Sequence, residues 1–164
     1  LDLNHKWFNV LLSSKDGLKI VFYSKNSTGD SYYKESTGYY EEDVQEMSLA
    51  SRSLDSFVQE NNLPMPDVIK MDTQGSELDI IQGAYNCIKS CKLIICEVPI
   101  IQFNKGAPLI SDYLRAFAKE DFIPTGLDKL HYMANMLIFV DMVFMKRSIR
   151  DSLYGHSSFI DRIQ

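Results

Sequence analysis

The chain of 164 residues carries 17 Lys and Arg against 22 Asp and Glu, a formal charge of −5, which argues against a dedicated nucleic-acid binder with its basic face. With 45% apolar and 24% charged residues it has the composition of an ordinary globular domain rather than of a disordered chain or coiled coil. A single domain of this size removes roughly 70% of its unfolded surface from water without disulfides or metals. No apolar run approaches the ~20 residues that span a bilayer.

In chain order, a short apolar run at 8–12 ends in the turn-forming cluster SSKDG, and a second run follows at 18–23. Strand, turn and strand is the natural reading. Residues 24–46 mix Ser, Thr, Gly, Asp and Tyr without a helical period and read as loop with irregular strand, its acids at 41–43 solvated. From Ser53, a capping residue, Leu54, Phe57 and Val58 recur at helical spacing until Asn61, Asn62, Pro64 and Pro66 stop the helix. VIKMD then has the β-branched character of a strand buried on both faces. After the tight TQG turn, Ser76 and Asp79 have the spacing of a capping box. Leu78, Ile81, Tyr85 and Ile88 then share one face of a single helix.

KLIICEV is a second buried-type strand, closed by Pro99, and Ile110, Tyr113, Leu114 and Phe117 give the next amphipathic helix. Residues 122–127 form a short strand whose Pro124 suits an edge or a strand start. The strongly apolar segment 135–146 reads as a long strand through the middle of a sheet, and the tail 148–164 as one short helix broken near Gly155. The alternation after Ser53 predicts an α/β domain over 1–147, with a mainly parallel sheet and an antiparallel hairpin at one side, followed by the helical tail 148–164.

Ligands of open α/β sheets bind beyond the carboxyl ends of the strands. That selects Asp72 after VIKMD, Glu97 near the end of LIICEV, and Ser13 and Ser14 after the first strand. Asp72, Thr73, Gln74 and Gly75 lead into a helix N-terminus that favours a carboxylate or an anion. Each has a plainer alternative: Asp72 caps a turn, Gly75 permits a tight one, Glu77 complements the helix dipole and Glu97 meets solvent. Gly83 inside a helix calls for close packing of helix on sheet. His131 follows a charged loop, LDKLHYM, and is either a base or a packed imidazole.

Cys87, Cys91 and Cys96 lack the four-ligand spacing of structural zinc and read as buried and inert, so no metal site is expected. Their odd number, without a signal-peptide pattern, points to a reducing compartment and a cytoplasmic location. No GxSxG, HExxH, Walker or GxGxxG pattern occurs.

The stretch SLDSFVQENNLPMPDVIKMDTQGSELDIIQGAYNCIKSCKLIICEV closely resembles the core of the FkbM-type methyltransferases, within the class I S-adenosylmethionine-dependent enzymes. SLDSF, IKMDTQGSE, QGA and ICEV carry the likeness. NVLLSSKDG and STGDS fit upstream and 135–146 fits the last strand, so it covers about 9–147. The resemblance implies a Rossmann-like, seven-stranded sheet with an antiparallel last strand, and S-adenosylmethionine as cofactor. The acceptor it implies is a small-molecule hydroxyl of a sugar or natural product. It places Asp72 and Gln74 beside the transferred methyl group. Asp72, Glu97 or His131 orients or deprotonates the acceptor, Gly75 belongs to the same turn, and Ser13, Ser14 and Asp16 lie where the class closes on adenine.

The family's opening DxGAxxG turn does not occur in the 164 residues. The expectation is therefore the C-terminal portion of such a domain, with VIKMD as an unpaired edge open to self-association. Two other readings stand beside it: a non-catalytic module that completes its sheet with another chain, and a metal-assisted hydrolase using Asp72, Glu77, Glu97 and His131.

Overall fold

A computed structural model describes residues 5–26, 29–36 and 43–154. Its elements are β1 (Lys19–Ser24), β2 (Gln45–Ala50), α1 (Leu54–Glu60), β3 (Val68–Met71), α2 (Glu77–Gln82), α3 (Tyr85–Ser90), β4 (Leu93–Pro99), α4 (Ile110–Lys119), β5 (Phe122–Met133), β6 (Met136–Lys146) and α5 (Arg147–Tyr154). This is a mixed α/β fold. β1 and β2 form an antiparallel pair of their own, while the larger sheet runs in the order β3-β4-β6-β5.

Among the described residues only β3 and β4 are parallel; β4–β6 and β6–β5 are antiparallel. The sheet is therefore mixed, against the mainly parallel expectation. The cause is the β5–β6 hairpin, which inserts its second strand between β4 and β5. Ala134 and Asn135 turn it, both at positive φ (45° and 66°), the backbone a tight hairpin loop requires. As expected from its unbroken apolar run, β6 is interior, with Ile138, Phe139, Val140, Met142 and Phe144 buried.

Further sequence expectations are corrected. The run at 8–12 is no strand: Leu12 makes a single bridge to Arg52, and the strand partner of β1 is β2, whose exposed, mixed sequence QEMSLA hid it. LDKLHYM is not a loop but the second half of β5. An edge strand pairs on one side only, so its residues need no continuous apolar pattern. Gly126 lies at the first of three register shifts along it.

The single helix expected after Ser76 is two, α2 and α3, parted at Gly83 and Ala84. A Cβ on Gly83 would lie 2.3 Å from the Ser13 carbonyl oxygen. The close packing expected of this glycine is real, but its partner is the 13–14 backbone, not the sheet. Asp55 of α1 supplies the lost continuity: its carboxylate accepts the Asn86 and Cys87 N–H groups at 2.7 and 2.9 Å and so caps α3. Tyr85, expected on the buried face, is 63% exposed.

Ser53 caps α1 as expected, accepting the Ser56 N–H at 3.2 Å. The core joins Met71, Ile80, Ile88, Ile94, Val98, Tyr113, Phe117, Phe122 and Phe144 with all three cysteines. The break expected near Gly155 lies outside the described residues.

Candidate active site at the ends of the parallel strands

The parallel register pairs Met71 with Cys96, so the next residue on each strand, Asp72 and Glu97, emerges at the same carboxyl edge. The chain then turns sharply: Gln74 and Gly75 both have positive φ, 54° and 103°. A Cβ on Gly75 would lie 2.7 Å from the Ala107 Cβ, so glycine answers both the backbone and the crowding.

What holds this turn is Glu77. Its buried carboxylate accepts the Thr73 N–H at 2.8 Å, the Gly75 N–H at 3.0 Å and the Tyr113 hydroxyl at 2.6 Å. The expected Ser76 cap is absent: the Ser76 hydroxyl donates to the Thr73 carbonyl instead. Burial, then the Glu77 charge, pushes the Tyr113 hydroxyl far above its usual range, so it remains a donor to that carboxylate.

The turn delivers the Gln74 amide to the strand ends. Gln74 Nε2 donates to Glu97 Oε2 at 2.8 Å and to Asp72 Oδ1 at 3.3 Å. Across the β4–β6 register Glu97 faces Asp141. From β5, His131 Nε2 lies 3.4 Å from Asp141 Oδ1 and 3.8 Å from Glu97 Oε1. Asp72, Gln74, Glu97 and His131 line an open cavity of about 470 Å³, within the usual range for ligand sites. Burial, reinforced by the Asp72, Asp141 and Glu77 charges, pushes the Glu97 carboxyl up to about 7, against the Gln74 hydrogen bond.

Four of the residues singled out in the sequence, Asp72, Gln74, Glu97 and His131, are thus brought together, with Gly75 shaping the turn beneath them. The other three are not. Ser14 and Asp16 line a different hollow of about 380 Å³ with Lys15, Ser53, Asp55, Gln82, Gly83 and Tyr85. Asp16 accepts the Ser53 N–H and the Ser56 hydroxyl, each at 2.7 Å, and these hydrogen bonds hold its carboxyl below the usual range. Ser13 is buried under the Tyr32 hydroxyl, 3.5 Å away. Tyr32 and Tyr33 both donate to Asp79 at 3.1 and 2.9 Å, which ties them to α2.

Sequence reasoning missed Asp141 and the Glu77–Tyr113 pair. The signal for Asp141 was present: it is the single charged residue within the apolar run 136–145, where an unpaired charge is expensive.

A mixed α/β domain with carboxylates gathered at the ends of two parallel strands matches the family profile described as "Methyltransferase FkbM domain" over residues 9–124, and the chain belongs to that family. The hexuronic acid methyltransferase AglP of Haloferax volcanii is 26% identical over 84 residues, a stretch that covers 47% of this chain. The match spans 35% of that curated relative's length. No solved structure matches the chain.

Proposed function

We propose that this domain takes part in S-adenosylmethionine-dependent methyl transfer to a hydroxyl oxygen of a sugar, such as a uronic acid, or a related natural product. One observation carries the reading: in a chain of the FkbM family, the Gln74–Glu97 hydrogen bond ties the turn after β3 to β4 at a cavity that also holds Asp72 and His131. The sugar class is suggested by the printed name of the Haloferax relative.

The donor set suits the cofactor, a cation bearing hydroxyl groups, because carboxylates and an amide offer it negative potential and hydrogen bonds. When bound, it supplies a methyl carbon already activated on a sulfonium, so what the protein contributes is placement. Asp72 and Glu97 set a negative potential over the cavity. Gln74, locked by its turn, holds the Glu97 carboxylate in one orientation. Asp72, Glu97 or His131 would take the proton that the acceptor hydroxyl gives up.

The family resemblance also assigns Ser13, Ser14 and Asp16 to the adenine end. With Asp16 engaged by Ser53 and Ser56, these residues act in this reading by shaping the 13–17 loop.

The test is transfer of an isotope-labelled methyl group from the cofactor to a panel of hexoses and uronic acids, with calorimetry for cofactor binding. Gln74→Ala and His131→Ala are expected to lower transfer at least tenfold while the thermal midpoint holds. Absence of both methyl transfer and cofactor heat in the wild-type protein would overturn the proposal.

A further inference from the structure

Three side chains from three adjacent strands converge beside the cavity: Glu97 of β4, Asp141 of β6 and His131 of β5. One donor atom from each lies within 4.8 Å of the other two. Donors bound at about 2.1 Å to one ion, at tetrahedral or octahedral angles, sit roughly 3.0–3.4 Å apart. The separations of 3.4 Å (His131 Nε2 to Asp141 Oδ1) and 3.8 Å (His131 Nε2 to Glu97 Oε1) need little closure to share an ion.

A second observation concerns Glu97 itself, which is only 9% exposed. Its Oε2 accepts from Gln74, but its Oε1 receives no hydrogen bond from any described residue. That oxygen is not sealed in the core, and Glu97 lines the cavity, so it stays open to a ligand. Among the described residues, the imidazole is the only basic group within 4 Å of either carboxylate.

We propose that Glu97, His131 and Asp141 form a site for one divalent cation. Two carboxylates and one imidazole suit a borderline ion such as Mn²⁺ or Zn²⁺. The adjoining cavity leaves coordination positions free for water or a ligand hydroxyl. The site's part in transfer rests on the function proposed above. An ion here lowers the pKa of a coordinated acceptor hydroxyl, and Asp72, outside the triad, takes the proton.

Binding itself is tested without catalysis. The purified metal-free chain is titrated with Mn²⁺, and free Mn²⁺ is followed by its electron paramagnetic resonance signal. One saturable site per chain is expected. Asp141→Asn and His131→Gln, on different strands and each checked by circular dichroism, should weaken it at least tenfold. Glu60→Gln on α1, remote from the triad, should leave it unchanged. Absence of a saturable site in the wild type, or binding equal to wild type in both folded variants, would overturn the assignment. A metal-loaded protein that neither transfers a methyl group nor binds the cofactor leaves the site standing and defeats only the proposed function.

Discussion

The Tyr113 hydroxyl of α4 donates to Glu77 Oε2 of α2 at 2.6 Å, with both side chains fully buried. Glu77 also takes the N–H groups of Thr73 and Gly75, so a helix packed over the sheet fixes the turn that presents Gln74. Tyr113→Phe removes a hydrogen bond to a buried charge and should cost about 1.5–3 kcal/mol, read from urea unfolding. Glu77→Ala strips all three donors of their acceptor and should cost more. If Tyr113→Phe unfolds like wild type, the carboxylate is satisfied some other way.

Glycine substitutions should rank by what a new Cβ meets. At Gly17 (φ 73°) a new Cβ meets no atom of the described residues within 4 Å, so Gly17→Ala bears only the left-handed backbone penalty of about 1 kcal/mol. Gly75→Ala adds an overlap with Ala107, and Gly83→Ala drives a methyl into the Ser13 carbonyl. Each of these should cost roughly 2 kcal/mol or more. Thermal midpoints of the three variants check the order, and equal midpoints would refute it.

Asp55 joins α1 to α3 through two backbone N–H groups. Asp55→Ala should destabilise by about 1–2 kcal/mol, as the loss of an N-cap does, and Asp55→Asn by less, because its amide oxygen still accepts. Hydrogen exchange should localise the loss to the first turn of α3. Uniform protection across that turn in Asp55→Ala would rule the cap out.

The three thiols are buried and unbonded to one another. Burial first, then the Asp55 side chain, pushes Cys87 up to about 12, and burial also raises Cys91 and Cys96. A raised thiol pKa means less thiolate at a given pH, so at pH 8 Cys87 holds roughly a thousandfold less than an ordinary thiol. A thiol-specific chromogenic reagent should therefore label none of the three in the folded protein and all three in denaturant. Fast labelling of the native chain would contradict this.

Local patterns were readable where one residue type answers one local demand. Ser53 reads as a cap because its hydroxyl reaches Ser56 three residues on. LIICEV reads as an interior strand because a strand enclosed on both faces is apolar throughout. VIKMD has the same composition but not the expected burial on both faces: among the described strands β3 ends the sheet, and its Val68 and Lys70 are exposed. β2 and the second half of β5 escaped because exposed or edge strands accept polar residues, leaving no alternation to detect. The break between α2 and α3 escaped because its cause, the 13–14 backbone, is about seventy positions away along the chain.

By itself, the sequence determined the strands that place Asp72 and Glu97 and the glycine their turn requires. It also carried the likeness to the FkbM family, since all of these lie within one contiguous stretch. Only the tertiary structure decided that β6 inserts beside β4, and with it that Asp141 faces Glu97 and that His131 arrives from β5. It alone showed that Glu77 and Tyr113 hold the turn from beneath. Pairings of this kind join residues dozens of positions apart, and they are set by strand register and core packing rather than by any local spacing.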